Sequence, residues 1–157
     1  MARITPFLWF DRQAEEAADF YVSVFPNSRI KAVTRYGEAG PGPAGTVMTV
    51  EFELDGQLFL ALNGGPVYRF NQAISFVVSC RDQGEIDAFW DRLTEGGKEI
   101  QCGWLTDKFG VTWQVVPEGI AELFGGRDPK KSAAAVRAML PMKKLDVATL
   151  QKAYDEA

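Results

Sequence analysis

Hydrophobic and polar positions along the chain change period several times, and the changes divide it into short elements. Residues 4–10, ITPFLWF, form an apolar run short enough for a strand and bounded by Asp11. Asp11 is a good helix N-cap, with Glu15 and Glu16 in the first turn where the helix dipole favours acid. Ala14, Ala17, Ala18, Tyr21, Val22 and Phe25 then recur at helical spacing, predicting one apolar helix face over about 13–25. Pro26 and Asn27 end that helix. Strands are predicted at 29–36, 46–54 and 57–62. The loop GEAGPGPAG fills 37–45, and Asp55-Gly56 forms a tight hairpin turn.

The same order then repeats. A strand is predicted at 73–79, followed by Asp82 and Glu85 in the spacing of a capping box. Ile86, Phe89, Trp90 and Leu93 make a helix face over about 83–95, stopped by Gly96-Gly97. Short strands follow at 99–102, 104–106 and 111–116. An offset of 69 places Phe7 on Phe76, Leu8 on Val77, Phe20-Tyr21 on Phe89-Trp90 and Val24 on Leu93. This predicts a single domain, 1–157, of the α+β class: two βαβββ modules, 1–70 and 71–118, with a helical tail, 119–157. Within the tail, Asp128-Pro129 starts one helix and Asp146 caps another. Val136, Met139 and Leu140 form a partial stripe on the first, and Val147, Leu150 and Tyr154 one face of the second.

The most informative stretch is CGWLTDKFGVTWQ, 102–114, which predicts a hairpin turning at 107–110 with Gly110 at positive φ. Alternation places Thr112, Gln114 and Val116 on one face of its second strand and Val111, Trp113 and Val115 on the other. The helix face needs Trp113 and its neighbours as an apolar partner. Gln114 therefore looks the other way and should bond a water, a ligand or Ser75.

Composition narrows the chemistry. The chain has 157 residues, 46% hydrophobic, with a net charge of −4 and no histidine. A chain of this length buries roughly 70% of its unfolded surface and needs no disulfide or metal to fold. There is no basic stripe for nucleic acid, no apolar run long enough for a membrane span and no signal-peptide pattern. Cys80 and Cys102, without a CxxC, point to a reducing cytoplasm. The missing histidine removes the commonest metal ligand and general base.

PFLWF, AEEAADFY, NGGP, CGWLTDKFGVTWQ and the AML-M-KLDVATL tail together resemble the PhnB-like branch of the glyoxalase/bleomycin-resistance/dioxygenase superfamily, the vicinal oxygen chelate fold. That branch is often labelled 3-demethylubiquinone-9 3-methyltransferase-like. The resemblance implies paired βαβββ modules forming a cupped mixed sheet, usually in a homodimer. In metal-dependent members, His or Glu on the first and last strands of each module hold a divalent ion in the cup. Carried over position by position, the inward residues here are Ile4, Pro6, Leu8 and Phe10, then Ala73, Ser75 and Val77, with Leu60 or Ala61 depending on register. Only Gln114 offers an oxygen donor, where such members typically have Glu. One neutral amide cannot compete with water for a divalent cation, so no metal and no cofactor is expected.

The expected ligand site is therefore apolar with a few orienting polar groups. Its candidates are Leu8, Phe10, Leu60, Asn63, Ser75, Val77, Cys102, Trp104, Thr112 and Gln114. Trp104 is placed near a ligand, and Trp9 and Trp113 on the face opposite the cup. Cys102 reads better as an inert thiol than as a nucleophile, and Asp107 with Lys108 as an exposed turn pair. Asn63-Gly64-Gly65-Pro66 either shapes a cavity rim or is simply a turn. The leading expectation is a metal-free small-molecule-binding protein. The alternatives are an enzyme with Glu51 and Glu53 as metal ligands, expected rather on an exposed edge, a methyltransferase, and a structural dimer with a filled cup. No glycine-rich strand–turn–helix for an adenosyl cofactor opens the chain.

Overall fold

The computed structural model describes residues 2–157. The chain divides into two compact units at Phe70/Asn71. The first runs β1 (Phe7–Phe10), α1 (Ala14–Val24), β2 (Arg29–Arg35), β3 (Val47–Leu54) and β4 (Gln57–Asn63). The second runs β5 (Phe76–Cys80), α2 (Gln83–Thr94), β6 (Lys98–Glu99), β7 (Trp104–Thr106) and β8 (Thr112–Pro117), and continues into α3 (Ile120–Gly125), α4 (Pro129–Met139) and α5 (Val147–Asp155). Each unit holds one four-stranded mixed sheet, in the orders β1-β4-β3-β2 and β5-β8-β7-β6. The expected βαβββ duplication is present. In both sheets the first strand pairs parallel with the last, and the remaining pairings are antiparallel.

In the first unit, α1 covers one face of the sheet. Ala14, Ala17, Ala18 and Tyr21 are buried against it, and the small alanines let the helix approach closely. The Tyr21 ring stacks at 6.3 Å from Phe52, which stacks at 5.4 Å on Phe59. Cross-strand partners share a face, so Leu8, Val50 and Ala61 lie on this helix side together, with Phe10, Phe52 and Leu54 alongside. The β3–β4 turn has positive φ at both Asp55 (47°) and Gly56 (83°), the geometry that matches strand twist.

The predicted cap of α1 is corrected. Gln13, not Asp11, precedes the helix and its side chain caps nothing. Instead Asn63 Oδ1, at the end of β4, accepts the Ala14 N–H at 2.8 Å. β1 starts at Phe7 rather than residue 4, because Pro6 has no N–H for a ladder and only its carbonyl is used, by Leu60 N–H.

In the second unit, Asp82 caps α2 by accepting the Glu85 N–H at 2.9 Å, and Glu85 reaches back to Arg81 N–H. Ile86, Trp90 and Leu93 bury against the sheet face carrying Leu105, Trp113 and Val115. β6 is shorter than expected, since the chain turns at 101–103 with Cys102 at φ 59°. In the hairpin, Gly110 takes φ 89° as predicted. The tail has three helices rather than two. α3 carries no periodic signal in the sequence because it is six residues long and bounded by Gly119 and Gly126. Its neighbours bury Leu145 and Leu150 against Val116, with Ile120, Leu123 and Met142 around them. Of the stripe predicted on α4, Met139 packs against this cluster, while Leu140 is exposed and the buried positions are Ser132 and Ala135.

Candidate functional site

Five of the predicted site residues come together on the open face of the second sheet, away from α2. Register places Trp104, Gln114 and Val77 in one cross-strand row over β7, β8 and β5. Gln114 Nε2 donates to Ser75 Oγ at 2.9 Å, one of the partners expected for it. Thr112 lies two residues back on the same face. It is 1% exposed, and its hydroxyl has no protein partner. Val116, two residues on, is covered by the tail helices. The face therefore presents an apolar row, one oriented amide and the Ser75 hydroxyl, with the Thr112 hydroxyl buried beneath it. Gln114 keeps its Oε1 acceptor for a ligand, and Val77 remains 57% exposed beside it.

The opposite face of the hairpin fixes that orientation. Trp113 is buried, and its Nε1 donates to Asp107 Oδ2 at 2.9 Å. Asp107 also accepts the N–H groups of Phe109 and Val111. It is 3% exposed, which corrects the exposed Asp107–Lys108 pair expected from sequence. The Phe109 bond is the turn that an Asp favours; the buried bond to Trp113, six residues on, is the one that turn chemistry does not announce.

Cys102 is not part of the row. Its N–H binds Met142 O, and its Sγ points toward the carbonyls of Met139 and Leu140. It belongs to the docking of the tail. Cys80 is fully buried on the helix side, and burial, followed by the nearby Glu85, Asp82 and Glu118, pushes its thiol up to about 11.

In the first unit the strand phase is corrected. Leu8 and Phe10 are 7% and 2% exposed on the helix side and cannot line an open face. Leu60 does lie on the open face, paired with Phe7 and Glu51. Trp9 joins it, against expectation, with its Nε1 on Gly65 O and its ring edge-on to Tyr68. The cause is one residue. Three residues separate β1 from α1, but two separate β5 from α2. An offset of 69 aligns the helices, while Leu8 and Phe10 match Val78 and Cys80 at an offset of 70.

Glu51 and Glu53 sit on the inner strand β3, not on an edge. Glu53 bonds Arg29 at 3.2 Å and Lys31 at 3.3 Å, and Glu51 lies 3.8 Å from Lys31. Lys31 foremost holds the Glu53 carboxyl below its ordinary range; burial opposes it, and Arg29 adds to the lowering. These carboxylates already have cations. Among the described residues no cluster of three or more His, Cys, Asp or Glu could hold a metal ion. Gln114 and Ser75 are neutral, so the donor set of either face does not fit a divalent cation.

Asn63 anchors a second feature. Its side chain accepts from Ala14 N–H and donates to Val47 O, and its carbonyl accepts the Tyr36 hydroxyl. Around it lies a pocket of about 760 Å³, between the 37–46 loop, the NGGP turn and the start of α1. Asp11, Arg12, Glu15 and Arg35 supply its charge. Sequence reasoning left Asn63 between rim and turn. The remaining residues gave no periodic signal, because they are brought together from three separate loops.

Residues 2–116 match the family model described as 3-demethylubiquinone-9 3-methyltransferase. Among solved structures, the putative 3-demethylubiquinone-9 3-methyltransferase PhnB protein from Bacillus cereus is 38% identical. The match covers 74% of this chain and 99% of that one, with a TM-score of 0.66. Protein PA1353 from Pseudomonas aeruginosa shares the fold at 23% identity, with 75% and 98% coverage and a TM-score of 0.63. The fosfomycin resistance protein FosX from Mesorhizobium loti shares it at 11% identity, with 73% and 89% coverage and a TM-score of 0.51. No curated protein matches significantly in sequence. With the duplicated βαβββ architecture, these matches establish that the chain belongs to the PhnB-like 3-demethylubiquinone-9 3-methyltransferase family and shares the fold of the fosfomycin resistance proteins.

Proposed function

We propose that the chain is a small-molecule-binding protein that works without a metal ion and holds its ligand against the open face around Gln114. The observation that carries this reading is the Gln114–Ser75 hydrogen bond beside Trp104 and Val77. It presents one oriented acceptor on an apolar floor, the design of small-molecule sites in general. The ligand this favours is partly apolar and carries at least one hydrogen-bond donor. In the first module, Leu60, Phe7 and Trp9 share their open face with the charged Glu51, Glu53 and Lys31.

The family description motivates a second reading, a methyltransferase. Against it, Asp11, Arg12 and Gln13 connect β1 to α1 without any glycine. We also propose a homodimer, since Phe7 and Ile74 remain 53% and 74% exposed. The two free cysteines favour a reducing compartment.

The test is a thermal-shift screen of small molecules on the wild type and on Gln114→Leu, beside metal analysis of untagged protein and calorimetric titration with S-adenosylmethionine. Hits that stabilise the wild type and lose their effect in a normally folded Gln114→Leu support the reading. Stoichiometric metal, micromolar S-adenosylmethionine binding, or hits indifferent to the substitution overturn it.

A further inference from the structure

We propose that the pocket around Asn63 in the first module binds a small zwitterion of the α-amino-acid class, its carboxylate on Arg35 and its ammonium on Glu15. This site uses none of the residues around Gln114 and stands independently of the function proposed above.

The pocket is built in advance. Tyr36 is buried at the root of the 37–46 loop, and the loop is folded onto it. Tyr36 N–H donates to Thr46 O at 2.9 Å, and Gly45 N–H returns to Tyr36 O at 2.8 Å. Gly42 lies so close to the ring that a Cβ there would sit 2.4 Å from it. The Asn63 hydrogen bonds tie the opposite wall to both α1 and β3. At about 760 Å³ the space falls within the range of small-molecule sites, roughly 300–1,000 Å³.

The neutral polar groups are already used in holding these walls together. What remains for a ligand is charge. Arg35 spends one N–H on Gly45 O at 3.1 Å, leaving most of its donor fork free. Arg12 has a loose pairing with Asp11 at 3.9 Å. Glu15 forms no ion pair among the described residues and lies in the first turn of α1. Arg35 and Glu15 thus line one pocket with opposite charges and do not pair with each other. Asp11 and Glu15 contribute −2, Arg12 and Arg35 +2, so the lining has no net charge to select an anion or a cation. A ligand carrying both charges satisfies both walls, and a singly charged one leaves a wall unpaired. Pro43, Val47 and Pro66 supply apolar contact for its side chain.

The test is an amide NMR titration of the ¹⁵N-labelled full chain with L-leucine, L-phenylalanine and L-serine. The single-charge controls are 3-phenylpropionate and phenethylamine. We expect at least one amino acid to shift the amides of Glu15, Tyr36, Gly45 and Gly64 saturably. Each control should bind roughly tenfold more weakly, and Arg35→Gln and Glu15→Gln should each cost about the same factor. Unchanged amide spectra elsewhere, and an unchanged response of Gln114→Leu, would keep the result separate from folding and from the other face. No saturable shift at millimolar concentration, controls that bind equally well, or variants that bind like wild type would overturn it.

Discussion

Asp107 shows how much one side chain inside a turn can hold. Its carboxylate accepts two backbone N–H groups of the turn and the indole N–H of Trp113. It thereby keeps Trp113 under α2 and turns Gln114 to the open face. Removing it leaves three donors to be satisfied in a buried place, so Asp107→Ala should lower stability by roughly 3 kcal/mol in urea unfolding. Asp107→Asn, which keeps part of the acceptor set, should cost clearly less. Gly97 constrains the same turn, since a Cβ there would sit 2.1 Å from Thr106 O. Cys80 sets a pH dependence. Its thiol is raised from about 9.0 to about 11 in the fold, because burial disfavours the thiolate. The neutral thiol's contribution is full below the free value and is lost as pH rises through the folded one. Between pH 9 and 11 the unfolding free energy should fall with pH, and Cys80→Ala should flatten that slope.

At the scale of elements, the tail is latched by the start of α2. Gln83 donates to Leu145 O at 2.9 Å and to Asp87 at 3.0 Å, and accepts Val147 N–H at 2.8 Å. Lys144 adds an ion pair to Asp87 at 2.9 Å. Gln83→Ala should leave the sheet intact and speed amide exchange in α5 by roughly tenfold, read by hydrogen–deuterium exchange. Equal protection in α5 would show that the apolar cluster alone holds the tail. Most elements were legible in the sequence because their cause is local: Asp82, Asp128 and Asp146 all cap the helices they announce. The start of α1 was not, because its cap comes from Asn63, 49 residues away. On the sites, alternation along 112–116 placed Gln114, since Trp113 had only one face to occupy. The same reasoning failed for Leu8 and Phe10, where an apolar strand reads alike on both faces and only the helix packed against it decides. The pocket around Asn63 was unreadable because three loops converge there without any periodicity.

At the scale of the molecule, the family match ends at residue 116, so α3, α4 and α5 lie beyond it. They nonetheless share a core with Val116, which lies two residues beyond Gln114 on the same face of β8. The tail is in this sense a wall of the candidate site as well as an appendage. The homodimer predicts a mass near twice 17.4 kDa by light scattering at micromolar concentration. A mass of 17.4 kDa would instead leave Phe7 and Ile74 facing water in solution.

The shorter link between β5 and α2 bears on how the two halves could be exchanged or made alike. Substitutions alone cannot make them interchangeable, because side chains brought into register along the helices point to opposite sides along the leading strands. A graft of β5 onto the position of β1 that keeps the helices in step would bury Val77 and Ser79 under α1 and push Val78 and Cys80 out into the open. Bringing the halves into phase takes a deletion within 11–13 or an insertion at 81–82. Any ancestor of two identical halves was therefore separated from this chain by a change in length, and from that point each half was free to evolve a different floor.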